Sequence, residues 1–199
     1  MIKTLIAIFL AAVLTENYVL SKFLGICSFL GVSKKLDTAL GMSLAVTFVT
    51  VLATAVTYPI YMYILLPNKL EYLQTLLFIL VIAALVQLVE IVLKKYIPSL
   101  YKALGIYLPL ITTNCVVLGV ALLVIEKSGP DYGYLQALVN AFGAGVGYLV
   151  AMVLFAGVRE RIENSEVPEF LKGLPITLVS ASLVALSFLG FSGIVDRLM

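Results

Sequence analysis

Apolar residues fill most of this chain in long runs, which short polar clusters interrupt. The clusters lie near residues 33–37, 67–72, 94–102, 126–132 and 158–172. They separate six apolar segments, at roughly 2–32, 38–66, 72–93, 103–125, 134–157 and 173–195. Runs such as LLFILVIAALVQLVEIVL lack the alternation of apolar and polar positions that a transmembrane β-barrel needs. Since hydrocarbon offers backbone groups no hydrogen-bond partner, the pattern predicts six transmembrane helices.

Composition supports the same class of protein. Hydrophobic residues make up 62% of the chain and charged residues 12%, whereas soluble domains average about 45–50% and about 25%. We therefore expect an all-α membrane protein with a single transmembrane domain over 1–199. The net charge of +2 and the lack of a basic run argue against nucleic acid as a partner.

Lys and Arg lie unevenly on the two predicted sides of the membrane, which indicates the orientation. The loops after the first, third and fifth segments carry Lys34, Lys35, Lys94, Lys95, Lys102, Arg159, Arg161 and Lys172. The opposite side carries Lys3, Lys69, Lys127 and Arg197. The richer side should be cytoplasmic, with both termini outside. No A-x-A-like cleavage site follows Leu5–Leu14, so we expect a retained first span and not a signal peptide.

The two cysteines of the chain open matching sequences. CSFLGV begins at Cys27 and CVVLGV begins at Cys115. A second match follows in the same order, between Thr38–Val49 and Asn140–Ala151, which share an A-[L/F]-G core. Two matches in one order indicate a duplicated unit of three helices.

A three-helix unit reverses its orientation when it is repeated, so the two copies should be inverted. We predict repeats at about 1–98 and 99–199, related by a pseudo-two-fold axis in the membrane plane. Counting along a helix places Cys27 roughly 10 Å from the cytoplasmic boundary and Cys115 roughly 16 Å from the outer one. In a hydrocarbon core about 30 Å thick, both thiols should lie near the middle.

The first and fourth helices are predicted to be broken just before their cysteines. Polar residues around Glu16 interrupt the first apolar run, and Gly25 precedes Cys27. Pro109 and the sequence TTN precede Cys115, and proline removes a backbone donor. Each cysteine should begin a half-helix, with Asn114 as the N-cap of the second. Paired broken helices at midplane are typical of a buried binding site.

The residues alone leave several functions open. The thiols can be inert packing residues or a disulfide. A zinc or iron–sulfur centre usually needs four protein ligands, and this chain has two cysteines and no histidine. A metal centre would therefore need ligands from a second chain. The inverted repeats and broken helices also fit a secondary transporter, and a structural scaffold for other subunits is a third possibility.

FLGICSFLGVSKKLDTALGM, LGIYLPLITTNCVVLGVAL and VLFAGVRERI are the most specific stretches of the sequence. They closely resemble one family of membrane subunits. Its members include the A-type subunit of the Rnf complex, an ion-translocating ferredoxin:NAD oxidoreductase, and, less closely, the E-type subunit of the sodium-translocating NADH:quinone oxidoreductase. The resemblance covers nearly the whole chain. One departure is Ser28, at a position where the family often has proline.

The resemblance implies a bacterial or archaeal cytoplasmic membrane protein that is not catalytic on its own. Cys27 and Cys115 would bind a [2Fe–2S] cluster shared with a homologous E-type Rnf subunit, and the B, C, D and G types would complete the complex. Electrons would pass through it between ferredoxin/NAD and flavin centres. Apart from the resemblance, Thr112, Thr113 and Asn114 are candidates either to hydrogen-bond the cluster sulfurs or to cap the broken helix, and the two roles are compatible. Glu16, an ionisable group within a span, is a candidate for the ion path, or for a pair with Lys22 or a partner.

Overall fold

A computed structural model describes residues 2–33, 36–96, 108–127, 132–163 and 165–190. Within these residues the structure is helical and contains no strand, which confirms the all-α class. The helices are α1 (Ile2–Leu10), α2 (Ile26–Val32), α3 (Leu36–Ile60), α4 (Gln74–Tyr96), α5 (Leu108–Thr112), α6 (Cys115–Glu126), α7 (Tyr134–Glu163) and α8 (Leu174–Leu189). Wider π-helical turns extend α1 over Ala11–Thr15 and α3 over Tyr61–Leu65, and short 3-10 turns lie at Glu71–Leu73 and Glu169–Leu171.

Three of the described helical stretches are long and apolar enough to cross a membrane. They are Leu36–Leu65, Glu71–Val92 and Tyr134–Ile162, which match the second, third and fifth predicted segments. Shorter apolar helices at Lys3–Thr15, Leu110–Glu126 and Leu174–Leu189 lie within the first, fourth and sixth. The predicted beginning of the fourth segment and end of the sixth lie outside the described residues, as do Lys34, Lys35, Lys102 and Arg197. Six spans therefore remain a prediction.

The fifth segment is longer than the sequence pattern indicated. The polar cluster at 158–172 predicts a helix end near residue 158, but α7 continues to Glu163. Polar and charged residues of this kind are good helix formers, so loss of apolar character marks the membrane boundary and not the end of the helix.

Pro59 explains the irregular end of α3. Proline has no N–H, so it cannot bond the carbonyl of Ala55 four residues earlier. The hydroxyl of Tyr134, at the start of α7, donates to that carbonyl at 3.2 Å. The π-helical turn at Tyr61–Leu65 follows directly. A side chain from a neighbouring helix thus satisfies the acceptor that proline leaves free.

The two long helices α3 and α7 pack against each other and form the centre of the molecule. Gly145 lies so close to α3 that an added Cβ would be 2.8 Å from the Cα of Thr47. On another face of α7, Gly143 and Gly147 lie against Ala12 of the first helix. The glycines of the GAGVG sequence therefore provide close contact with two different helices.

The remaining helices pack in reciprocal pairs around this centre. The first helix contacts α7, and α6 contacts α3. The outer helix α4 contacts α5 and α6, and the outer helix α8 contacts the π-helical turn that ends the first helix. Both outer helices expose many large apolar side chains, among them Leu80 on α4 and Leu183 on α8. Exposed apolar area on this scale is expected of a surface that faces lipid.

Candidate functional site at the crossing of two broken helices

The first helix is interrupted between Thr15 and Ile26, as predicted, and Asn17 stabilises the interruption. Its side-chain oxygen accepts hydrogen bonds from the backbone N–H groups of Val19 and Leu20 at 3.1 and 3.3 Å. Its amide nitrogen donates to the carbonyls of Val13 at 3.2 Å and of Gly147 at 2.8 Å. Asn17 is fully buried. One polar side chain thus replaces backbone hydrogen bonds that the helix loses at the break.

The second interruption lies between α5 and α6. Asn114 has an extended backbone, and its side-chain oxygen accepts a hydrogen bond from the N–H of Val116 at 3.1 Å. This geometry is that of an N-cap, which confirms the role predicted for Asn114. Cys115 is the first residue of α6. In the other half-helix, Cys27 is the second residue of α2.

The two breaks touch each other at Gly25. An added Cβ on Gly25 would be 2.6 Å from Cγ2 of Val116 and 2.9 Å from Oδ1 of Asn114. These two residues flank Cys115, and Gly25 is two residues before Cys27. The φ of Gly25 is +76°, a conformation that favours glycine. The fold therefore brings the two cysteine-bearing segments into direct contact.

A buried hydrogen-bond cluster ties the segments together beside this contact. Nδ2 of Asn114 donates to Oγ of Ser28 at 3.1 Å, and the hydroxyl of Tyr148 donates to the same atom at 2.8 Å. Oγ of Ser28 in turn donates to the carbonyl of Gly25 at 2.9 Å. The cluster joins α2, the start of α6 and the centre of α7.

Both cysteines are unpaired, and both are exposed. Within the described residues, no group of three or more His, Cys, Asp or Glu side chains could hold a metal ion. A [2Fe–2S] cluster with cysteine ligands needs four thiolates. The donor set of this chain is therefore suited to half of such a site, with its thiols accessible to a second protein.

Cys115 opens onto an apolar groove of about 480 Å³ between α4 and α6. Thr112 and Thr113 line the groove, and Thr113 is exposed beside the cysteine. Asn114 also borders the groove but is itself buried, with its amide engaged in the N-cap and in the bond to Ser28. That Thr112, Thr113 and Asn114 hydrogen-bond a cluster sulfur stays a prediction.

Glu16 forms an ion pair with Lys127 at the end of α6. The sequence suggests Lys22 as a partner of Glu16 within the chain, and the structure pairs Glu16 with Lys127 instead. Both side chains of the pair are about one-third exposed, at 35% and 36%. The pair connects the first break to the opposite half of the sequence.

Arg159 makes a contact with the end of α2 that the sequence pattern did not indicate. Its guanidinium donates to the carbonyl of Leu30 at 2.6 Å and to Oγ of Ser33 at 3.0 Å. These acceptors lie at the end of α2, where helix carbonyls have no partner within the helix. A basic residue just beyond an apolar segment was the available signal, but its partner is 129 residues away.

Comparison with known proteins gives matches over nearly the whole chain. Residues 5–195 match the family described as Rnf-Nqr subunit, membrane protein. The chain is 58% identical over 190 residues to the A-type subunit of the Na(+)-translocating ferredoxin:NAD(+) oxidoreductase complex of Acetobacterium woodii, covering 96% of this chain and 97% of that protein. It is 54% identical over 193 residues to the A-type subunit of the ion-translocating oxidoreductase complex of Syntrophotalea carbinolica, covering 97% and 98%. The corresponding protein of Azotobacter vinelandii is 52% identical over 191 residues, covering 96% and 97%.

Proposed function

Since this chain belongs to the Rnf-Nqr family of membrane subunits, we propose that it is a membrane subunit of an Rnf-type ion-translocating ferredoxin:NAD oxidoreductase complex. In that complex Cys27 and Cys115 hold one side of an intramembrane [2Fe–2S] cluster, and a homologous E-type subunit provides the other two thiolates. When bound, the cluster supplies a one-electron carrier between ferredoxin/NAD and flavin centres of the complex, whose other subunits are of the B, C, D and G types. The chain is a part of the translocase and has no catalytic activity by itself.

The observation that carries the proposal is the position of the two thiols. They are the only cysteines of the chain, and each lies in the first turn of a half-helix. The half-helices touch at Gly25, and both side chains are exposed. Two accessible thiols held at one crossing are what a shared four-thiolate centre requires from each of two chains.

The reciprocal packing of the helices supports the inverted repeat that this function would use. In each half a broken helix precedes a long helix and a third, outer helix. Each broken helix packs against the long helix of the other half, α7 or α3. Exchange of the halves by a pseudo-two-fold axis would map one set of contacts onto the other.

The proposed location is a bacterial or archaeal cytoplasmic membrane, crossed six times with both termini outside. The contact between Arg159 and Ser33 supports part of this topology. It brings the end of α2 next to the last turns of α7, which supports a single side for the charged clusters after the first and fifth segments. The excess of Lys and Arg predicts that this side is cytoplasmic.

The test is to produce the complete complex with this chain, reduce it in detergent and record its electron paramagnetic resonance spectrum. We expect a [2Fe–2S] signal that Cys27→Ala and Cys115→Ala each abolish, because two or three thiolates do not complete the site. Ser43→Ala is the matched control. Ser43 is buried like Ser28, but among the described residues its hydroxyl bonds only to the carbonyl of Ala39, in its own helix, at 2.6 Å.

An unchanged signal in either cysteine variant would contradict the assignment. A complex without iron would favour a scaffold in which the thiols only pack. Uptake of a substrate by the isolated chain in vesicles, insensitive to both cysteine substitutions, would favour a secondary transporter.

A further inference from the structure

Ser28 uses its full hydrogen-bonding capacity, and two of its three bonds join α2 to other segments. A serine hydroxyl has one donor and two acceptor sites. Oγ donates to Gly25 at 2.9 Å and accepts from Asn114 at 3.1 Å and from Tyr148 at 2.8 Å. Ser28, Asn114 and Tyr148 are at most 2% exposed, so water cannot replace a missing partner. A hydroxyl saturated in this way is a fixed point of the structure.

Asn114 connects Ser28 to the second half-helix, α6. The oxygen of its amide caps α6 through Val116, and the nitrogen of the same amide donates to Ser28. The planar amide makes both bonds with one rigid group. A shift of α2 therefore moves the cap of α6, and with it Cys115, unless one of the two bonds breaks.

Tyr148 fixes the same atom to the centre of the molecule. It lies in the middle of α7 and is fully buried. Its hydroxyl contact holds the pair of half-helices against the long central helix. Ser28 thus lies at the junction of α2, α6 and α7, one residue after Cys27.

We propose that Ser28 is a positioning residue that, through Asn114 and Tyr148, sets the spacing between the thiols of Cys27 and Cys115. This inference rests on the proposed function for its purpose, because a shared cluster needs its two ligands from this chain at a fixed separation. The spacing itself is a property of the chain alone, so it can be measured without iron.

The two cysteines make that measurement direct, since they are the only thiols and both are accessible. A nitroxide spin label is attached to each in the purified full-length chain, and dipolar coupling between the labels gives their distance distribution. We expect a single narrow distribution for the unaltered chain and for Ser43→Ala. Ser28→Ala should shift the mean label-to-label distance or replace the single peak by a broad distribution. Ser28→Thr keeps the hydroxyl and should give the distribution of the unaltered chain.

Two further variants change the residues that donate hydrogen bonds to Ser28. Asn114→Ser retains an N-cap side chain but is too short to reach Ser28, so it should disturb the distribution as Ser28→Ala does. Tyr148→Phe keeps the ring and removes only one donor, which provides a milder change if Ser28→Ala does not fold. The double variant Ser28→Ala/Asn114→Ser should change the distribution no further than Ser28→Ala alone, since Ser28→Ala already removes the contact with Asn114.

An unchanged distribution in Ser28→Ala and in Tyr148→Phe would overturn the inference. So would a full additive effect in the double variant, because it would show that the two residues act separately. Failure of the proposed function is a different result. A complex without a [2Fe–2S] signal would remove the cluster, whereas the label distances test the junction in the iron-free chain.

Discussion

Gly25 shows how much of this site depends on one residue without a side chain. Its positive φ turns the chain into α2, and its open face accommodates both Asn114 and Val116. A larger residue meets two separate obstacles there, the strained backbone and the neighbouring half-helix. The crossing exists because the position satisfies both requirements at once.

Gly25→Ala should therefore destabilise the protein. Strain at a positive φ costs about 1–3 kcal/mol, and the overlap with Val116 and Asn114 adds to it. We expect a lower midpoint of thermal unfolding in detergent and a weaker [2Fe–2S] signal in the complex. The control is Gly31→Ala in the same half-helix, where an added Cβ meets nothing within 4 Å.

Gly31→Ala should leave the unfolding midpoint unchanged or raise it, since alanine favours a helix by up to about 1 kcal/mol over glycine. Equal effects of the two substitutions would contradict the role of the crossing.

Among the elements, α2 is short and depends on contacts outside itself. It has 7 residues, too few for stability as an isolated helix. Asn114 and Tyr148 bond Ser28 in its first turn, and Arg159 bonds the carbonyl of Leu30 near its end. The half-helix that carries Cys27 is thus held at both ends by residues of other segments. Its stability belongs to the tertiary structure and not to its sequence.

Arg159→Ala should loosen the end of α2. Hydrogen bonds from a charged donor contribute about 1.5–3 kcal/mol, and the substitution removes two of them. We expect a lower unfolding midpoint and faster alkylation of Cys27 by N-ethylmaleimide, measured with Cys115→Ala so that one thiol reports. Arg161→Ala, at an exposed position of the same helix, is the control and should change neither quantity. If the two variants behaved alike, general charge and not the bond to Leu30 would explain the effect.

On the scale of the whole molecule, the two halves of the sequence are interlocked. The α3–α7 contact lies at the centre, and the crossing of the half-helices lies beside it. Glu16 and Lys127 join the halves at a more exposed position. Exposed pairs contribute little to stability, about 1 kcal/mol or less. That the Glu16 carboxylate serves ion translocation as well as this pair stays a prediction.

The corresponding prediction separates the carboxylate from the pair. Glu16→Gln and Lys127→Gln both remove the ion pair, so each should lower the free energy of unfolding by about 1 kcal/mol or less. If Glu16 lies on the ion path, Glu16→Gln alone should reduce ion transport by the complex in vesicles driven by its redox reaction. Equal transport losses in both variants, or none in either, would exclude the carboxylate from the path.

Much of the site was predictable from local sequence. The two cysteine motifs, the interruptions before them and the cap at Asn114 are all visible within a few residues of each other, because caps and breaks follow local backbone rules. Ser28, Tyr148 and Arg159 were not. Asn114 and Ser28 are 86 residues apart in the sequence, and Tyr148 and Ser28 are 120 apart. Arg159 and Leu30 are 129 residues apart. A polar residue in an apolar segment indicates that a partner exists, but not which one.

The sequence by itself determined that the chain is a helical membrane protein, since hydrophobicity and the need to satisfy the backbone in lipid act on each segment separately. It also limited the candidate cluster ligands of this chain to Cys27 and Cys115, since only two thiols are present, and their role stays a prediction. The tertiary structure decided that Gly25 meets Asn114, that Ser28 joins three helices, and that Glu16 pairs with Lys127 and not with Lys22. These contacts depend on how distant segments pack, and packing is settled by all the helices together.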